Sequence, residues 1–288
     1  MRSGPDPNRY PRRRPWATPA AAALAASLAL VGFVVAVRLP AGLGPGSPRT
    51  LQPPAAGPTT RSSTDVPPAA SPTAEPDEPP TPPLPDCRYG DRRAGRTGYG
   101  QWRTILVDTI FRLPPDYEPP DLVPVSEAGF DAPFLVRRVV VRDLAALREA
   151  AQANGVRLEL VSAYRSFEQQ RDLFERRVQQ LGRVKALRRT ARPGHSEHQL
   201  GTALDFKTAG NRTVGVGWGE TPAGRWMAEN AHRFGFVLSY PEGERETTCY
   251  AFEPWHFRYV GPRMAAEVVA SGRTLREFLW LRQWERSG

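Results

Sequence analysis

Histidine and cysteine are both scarce in this chain, with four and two copies in 288 residues. Two cysteines, Cys87 and Cys249, allow one disulfide and exclude a cysteine-rich scaffold. Four histidines leave few ways to build an imidazole metal site: His195, His198, His232 and His256. No HExxH segment is present, so the metalloprotease helix that carries that motif is excluded. Lysine is nearly missing, and the net charge of +9 is carried by arginine. Part of that charge lies in the first fifteen residues, and the rest suits an anionic cell envelope. No nucleic-acid-binding motif accompanies it, so no nucleic-acid partner is expected. Between Pro40 and Pro85 large apolar residues are almost lacking. Such a stretch cannot bury enough surface to offset its ordering entropy.

What is present divides the chain into four parts. Residues 1–15 are polar and basic, ending near Arg12, Arg13 and Arg14. Trp16 to Val37 carries no charge and is dominated by Ala, Leu and Val. As a helix these residues would span about 33 Å, enough to cross a hydrocarbon core of roughly 30 Å. The arginines on its N-terminal side put that end in the cytoplasm and the remainder outside. A cleaved signal peptide is the other reading, although the run is long for one and no clear small-residue cleavage site follows. No cysteine follows the run closely, which argues against a lipid anchor. Residues 38–86 read as a Pro-rich spacer, extended where proline is dense. Residues 87–288 are long enough for one ample folded domain. The expectation is a single-pass membrane protein, anchored through residues 16–37, with its folded domain outside the cytoplasm. In that compartment the cysteine pair suggests a Cys87–Cys249 disulfide.

Within the folded part, Val139 to Val141 reads as a short strand, and residues 142–154 as a helix ended by Gly155. Residues 157–162 alternate as a strand. Ser166 caps a helix over 167–181 that stops at Gly182. Residues 183–197 read as a long loop and 201–206 as a strand. Thr221 and Pro222 open a helix running to about Phe234. Strands over 236–240 and 250–260, then helices over 262–270 and 275–284, close the chain. No regular βαβ rhythm appears, so the fold class is α+β, with a small, mostly antiparallel sheet flanked by helices.

Two segments concentrate chemistry. Ser196 to Asp205 reads SEHQLGTALD, and Phe252 to Gly261 reads FEPWHFRYVG. They hold His198, Asp205 and His256, three good zinc ligands, and Glu253, a carboxylate three residues from His256. A catalytic zinc site typically has three protein ligands and one position for water, made acidic enough to react at neutral pH. A nearby carboxylate can take that water's proton. A turn at Gly201 followed by a strand could bring His198 and Asp205 together. Pro254 disfavours a continuous helix through 253–256, so Glu253 and His256 should flank a kink at a strand end. His195, in a Gly-His-Ser loop, and His232, in a helix, read as scaffold.

The first segment, with Ala191 to His195 before it, resembles the SxHxxGxAxD pattern of VanY-type D-alanyl-D-alanine carboxypeptidases. These are zinc peptidases of the LAS group, which also includes lysostaphin and sonic hedgehog. The second resembles their EPWHxRYVG signature, and Ser162 to Gln170 (SAYRSFEQQ) matches an SxYRSxxxQ element. All three lie in family order within about residues 100–265. The resemblance implies a LAS/hedgehog-like fold and Zn2+ held by His198, Asp205 and His256. It implies Glu253 as general base and Arg165 near the scissile carbonyl as an oxyanion partner. Ser196 and Gln170 would contact substrate, and Trp255 would wall the site.

The implied activity is removal of the terminal D-alanine from peptidoglycan stem peptides by metal-activated water. The alternatives are an L,D-carboxypeptidase, an endopeptidase, or a peptidoglycan-binding or regulatory module with a dead site. Two positions depart from the family pattern. Ser239 stands where an arginine is usual, and Thr248-Cys249 stands where Thr-Gly is usual, which supports the disulfide.

Overall fold

The computed structural model describes residues 82–284, apart from Arg96 and Thr213. The proposed anchor at 16–37 and most of the spacer at 38–86 lie outside the described residues. Among the described residues no helix is long and apolar enough to cross a membrane.

Two short ladders come first: β1 (Arg92–Arg93) beside β2 (Phe111–Arg112), and β3 (Leu122–Pro124) against β4 (Leu135–Arg137). Helix α1 (Arg138–Ala153) leads into β5 (Leu158–Ser162). Helices α2 (Phe167–Leu181) and α3 (Arg183–Leu187) follow, then β6 (Ala203–Thr208), α4 (Pro222–Asn230) and β7 (Phe236–Leu238). The chain continues through α5 (Arg245–Thr248), β8 (His256–Tyr259), α6 (Pro262–Ser271) and α7 (Leu275–Trp284). The main sheet has the order β5-β6-β8-β7, antiparallel throughout.

The alternation of strands β6 and β8 divides the sheet into two faces. Leu204, Phe206, Phe257 and Tyr259 point into the main core, beside Leu144 and Leu147 of α1. Asp205, His256 and Arg258 therefore share the opposite face. A second core, with Ile105, Ile110, Leu113, Val260 and Leu279, gathers the segment before β2 against α6 and α7.

Three expectations need correction. Val139 to Val141 belongs to α1 and not to a strand. The β-branched run favours extended backbone, but Val140, Leu144, Leu147 and Ala151 form one fully buried helical stripe, and that burial overrides local preference. Residues 183–197 are not all loop, because α3 buries Ala186 and Leu187 against Phe174. The strand expected over 250–260 shrinks to His256–Tyr259. Pro254 cannot donate to a ladder, and the backbone instead turns, with His256 N–H bonding Glu253 C=O at 3.0 Å.

The expected cap of α2 forms a complete capping box between Ser166 and Gln169. Cys87 and Cys249 are disulfide-bonded. Cys249 has φ of 69°, the single non-glycine residue with positive φ among those described. The bond closes a span of 162 residues, for which chain entropy gives a stabilisation of about 5 kcal/mol. Thiol titration of the unfolded, unreduced protein should find no free thiol; two free thiols would contradict the pairing.

Candidate active site and metal centre

The sheet register builds the site. Asp205 on β6 is the cross-strand partner of His256 on β8, and Ser162 on β5 pairs with Asp205 from the other side. The register shifts between Leu160 and Ser162, an irregularity that re-aims the end of β5. His198 arrives on a one-turn 3-10 helix, Glu197–Leu200, which ends at Gly201 with φ of 70°. A Cβ at Gly201 would come within 2.9 Å of Arg137 Cγ. The turn therefore requires glycine for its backbone angle as well as its space.

His198 Nε2 lies 3.2 Å from Asp205 Oδ2, and His256 Nδ1 lies 3.0 Å from Asp205 Oδ1. Ligand atoms of the three residues all fall within 4.8 Å of one another, and all three are buried. His198 Nδ1 faces the carbonyl oxygen of Ala163 at 2.7 Å, so Nδ1 carries the proton and Nε2 presents a lone pair. His256 Nε2 faces Glu197 Oε2 at 3.0 Å, which leaves Nδ1 toward the cluster. Burial lowers the His198 pKa, and Arg165 reinforces the effect. Burial works against charge on His256 too, but hydrogen bonds to Asp205 and Glu197 outweigh it and push the pKa up to about 10. Burial also opposes ionisation of Asp205, yet the two imidazoles hold its carboxyl well below the usual range.

Two imidazole nitrogens and a carboxylate thus lie about one buried point, an arrangement that can hold a cation. Nitrogen and oxygen donors in this number suit zinc. The residues present fit that ion.

Glu253 Oε2 is 4.0 Å from His256 Nδ1, and its side chain is about a quarter exposed at 26%. Burial among the site's walls raises its pKa to about 7, with Asp205 adding to the rise and His256 opposing it. Such a carboxyl can exchange a proton near neutrality. Arg165 is held by Gln170 Oε1 at 2.6 Å and Ser162 Oγ at 2.7 Å. Burial lowers its pKa, while Asp205 and Glu253 oppose that. Gln170 also donates from Nε2 to Ala191 C=O at 2.6 Å, so its amide aims the guanidinium.

The three candidate ligands, Glu253, Arg165 and Gln170 line a cleft of about 240 Å³ that also includes Ser196, Tyr240 and Trp255. A groove of about 850 Å³, with Phe134, Leu135, Tyr164 and Glu168, shares Arg165 and Asp205 with it. His195 lies apart from the cluster. Its Nδ1 faces Asp108 C=O at 2.7 Å, and burial lowers its pKa to about 4.

Sequence reasoning missed Glu197 and Tyr240. The Tyr240 ring stacks on His256 at 4.8 Å. Glu197 is buried and bonded to His256, Arg258 and Ser239. Burial would raise its pKa, but Arg258, with help from His256 and Ser239, holds it at about 2. A signal for it was available: strand alternation puts Arg258 on the same buried face as His256, and a buried arginine needs an acid.

The VanY family model, described as D-alanyl-D-alanine carboxypeptidase, matches residues 134–262. The bifunctional D-Ala-D-Ala dipeptidase and carboxypeptidase VanXYC of Enterococcus gallinarum is 31% identical over 176 residues, 60% of this chain and 91% of that protein. The chain belongs to the VanY family. YodJ of Bacillus subtilis is 36% identical over 178 residues, covering 60% of this chain and 65% of YodJ. The matches to YodJ and to an Enterococcus faecalis D-alanyl-D-alanine carboxypeptidase span just under two thirds of those proteins, 65% and 66%.

Among solved structures, the LdcB LD-carboxypeptidase superposes with a TM-score of 0.55 at 35% identity, covering 60% of this chain and 83% of that one. A Zn(II) complex of the vancomycin-resistance D,D-pentapeptidase VanY gives 0.54 at 32% identity, covering 62% and 99%. The mixed helix-and-sheet fold is thus that of VanY structures, and the zinc of that relative accords with the donor set here.

Proposed function

We propose that this chain is a zinc carboxypeptidase that removes the terminal D-alanine from peptidoglycan stem peptides. The observation that carries the reading is the convergence of His198, Asp205 and His256 on one point, with Glu253 4.0 Å from His256 at the cleft surface. His198 Nε2, Asp205 and His256 Nδ1 would hold the ion. When bound, zinc supplies a Lewis acid that acidifies water and polarises a carbonyl.

Glu253 accepts the proton of the attacking water and later delivers it to the leaving amine. Its position in the cleft beside His256 suits both halves of that transfer. Arg165, locked by Ser162 and Gln170, supplies a fixed cation for the oxygen that gains charge. Ser196 and Trp255 bound the cleft as substrate contacts. The adjoining groove offers room for the rest of an extended stem.

The proposal extends to location. A membrane anchor at 16–37 and a spacer at 38–86 would carry the domain outside the cytoplasm. The disulfide supports an oxidising compartment. The intact set of ligands, base and cation weighs against a dead binding module.

The likeness to the LdcB LD-carboxypeptidase favours a second reading, cleavage of the shorter tetrapeptide stem. Comparing the zinc-loaded protein on a pentapeptide stem, its C-terminal amide and a tetrapeptide stem separates the readings. The pentapeptide should release D-alanine, and amidation should abolish cleavage, because it removes the anion and adds a donor that needs a new partner. Preference for the tetrapeptide would establish the L,D-reading. Equal cleavage of the amide would point to an endopeptidase.

A further inference from the structure

We infer that Glu197 is a positioning residue for the metal centre, holding His256 by Nε2 so that Nδ1 is presented to the ion. The inference rests on the zinc reading above and extends it to a residue that touches neither metal nor substrate.

Three donors meet on this one carboxylate. Arg258 Nη1 donates to Oε1 at 2.8 Å, Ser239 Oγ donates to Oε2 at 2.6 Å, and His256 Nε2 lies 3.0 Å from Oε2. Glu197, Arg258, Ser239 and His256 are all buried, at 5%, 0%, 2% and 3% exposure. Arg258 is itself anchored, donating from Nη2 to the carbonyl oxygens of Trp102 and Ile105 at 2.9 and 2.8 Å. The carboxylate is therefore fixed at both oxygens before His256 meets it.

A carboxylate paired with arginine only accepts hydrogen bonds. The hydrogen in the His256 contact must then sit on Nε2, so that Nδ1, facing Asp205 at 3.0 Å, is the nitrogen whose proton a metal would displace. Rotating the ring by half a turn would set carbon against Glu197 Oε2 and withdraw one of its buried bonds. Tyr240 stacks on one face of the ring at 4.8 Å, and His198 meets it edge-on at 4.9 Å. These contacts restrict tilt, whereas Glu197 fixes the in-plane angle and the tautomer. The two histidines are backed differently, His198 by the neutral Ala163 carbonyl and His256 by a carboxylate. A negative partner makes the imidazole the stronger donor.

The test is Glu197→Gln, with zinc affinity read by chelator competition and the site by the visible spectrum of the cobalt(II)-substituted protein. The amide cannot serve both neighbours: an oxygen toward Arg258 turns its NH₂ against His256 Nε2 and favours the wrong tautomer. Zinc should bind roughly 10–100-fold more weakly, the cobalt spectrum should shift, and Glu197→Asp should recover part of the affinity. Parental affinity and spectrum in a folded Glu197→Gln chain would overturn the inference.

Should that variant fail to fold, nitrogen-15 NMR of histidine-labelled, zinc-loaded parent protein decides. His256 should carry a slowly exchanging proton on Nε2, and His198 one on Nδ1. A proton on His256 Nδ1 would overturn the inference. A parent chain that takes up no zinc would overturn the zinc reading as well. Zinc bound equally by parent and variant would overturn this inference alone.

Discussion

His256→Ala should lose zinc and activity together. The imidazole contributes one of three donors, and alanine leaves His198 and Asp205 as a two-point site. Zinc chemistry supplies several kcal/mol of transition-state stabilisation. At 1.36 kcal/mol per tenfold, turnover should fall by roughly 10³-fold or more. The variant also withdraws the ring stacked on Tyr240 and the donor facing Glu197. Circular dichroism and an intact Cys87–Cys249 bond would show that the fold persists. A folded variant that retained stoichiometric zinc would show that His256 is not a ligand.

Glu253→Gln should separate metal binding from chemistry. Glu253 lies at the cleft surface, 4.0 Å from His256 Nδ1, and makes none of the closest contacts in the ligand cluster. The amide keeps the shape of the side chain but cannot accept a proton. Zinc content should stay at one per chain while kcat falls by about 10²–10⁴-fold. KM should move less, because the change acts on the proton transfer and not on the walls that hold the stem. Near-normal turnover in a zinc-replete variant would place the base elsewhere.

These expectations draw on different amounts of sequence information. The candidate trio and Glu253 were legible because each sits in a short segment whose residue types suit a metal site and whose pattern resembles a family signature. Their meeting was not legible in detail. It depends on Asp205 and His256 being register partners across β6 and β8, a long-range pairing that no local window encodes. Helix α2 was legible to its ends, because Ser166 and Gly182 supply local start and stop signals. The start of α1 was misread because three consecutive valines favour a strand locally, while their burial is decided by distant partners.

Gln170 illustrates a subtler gap. Its place in a motif implies a substrate contact, and it does line the cleft; its amide also joins Arg165 to the Ala191 carbonyl, a link that only the folded chain brings together. Glu197 was overlooked for a similar reason. An acid beside a histidine ligand looks like an exposed turn residue until Arg258, 61 positions later, is seen to bury it.

Zinc K-edge absorption on the purified protein, with metal content measured on the same sample, reads the ligand shell itself. One zinc per chain is expected in a nitrogen and oxygen shell without sulfur, with Zn–N at ~2.0–2.1 Å, and that shell should be lost when His198, Asp205 and His256 are replaced together. Substoichiometric metal after zinc loading, a sulfur-containing shell, or an unchanged shell in the triple variant would contradict the zinc assignment.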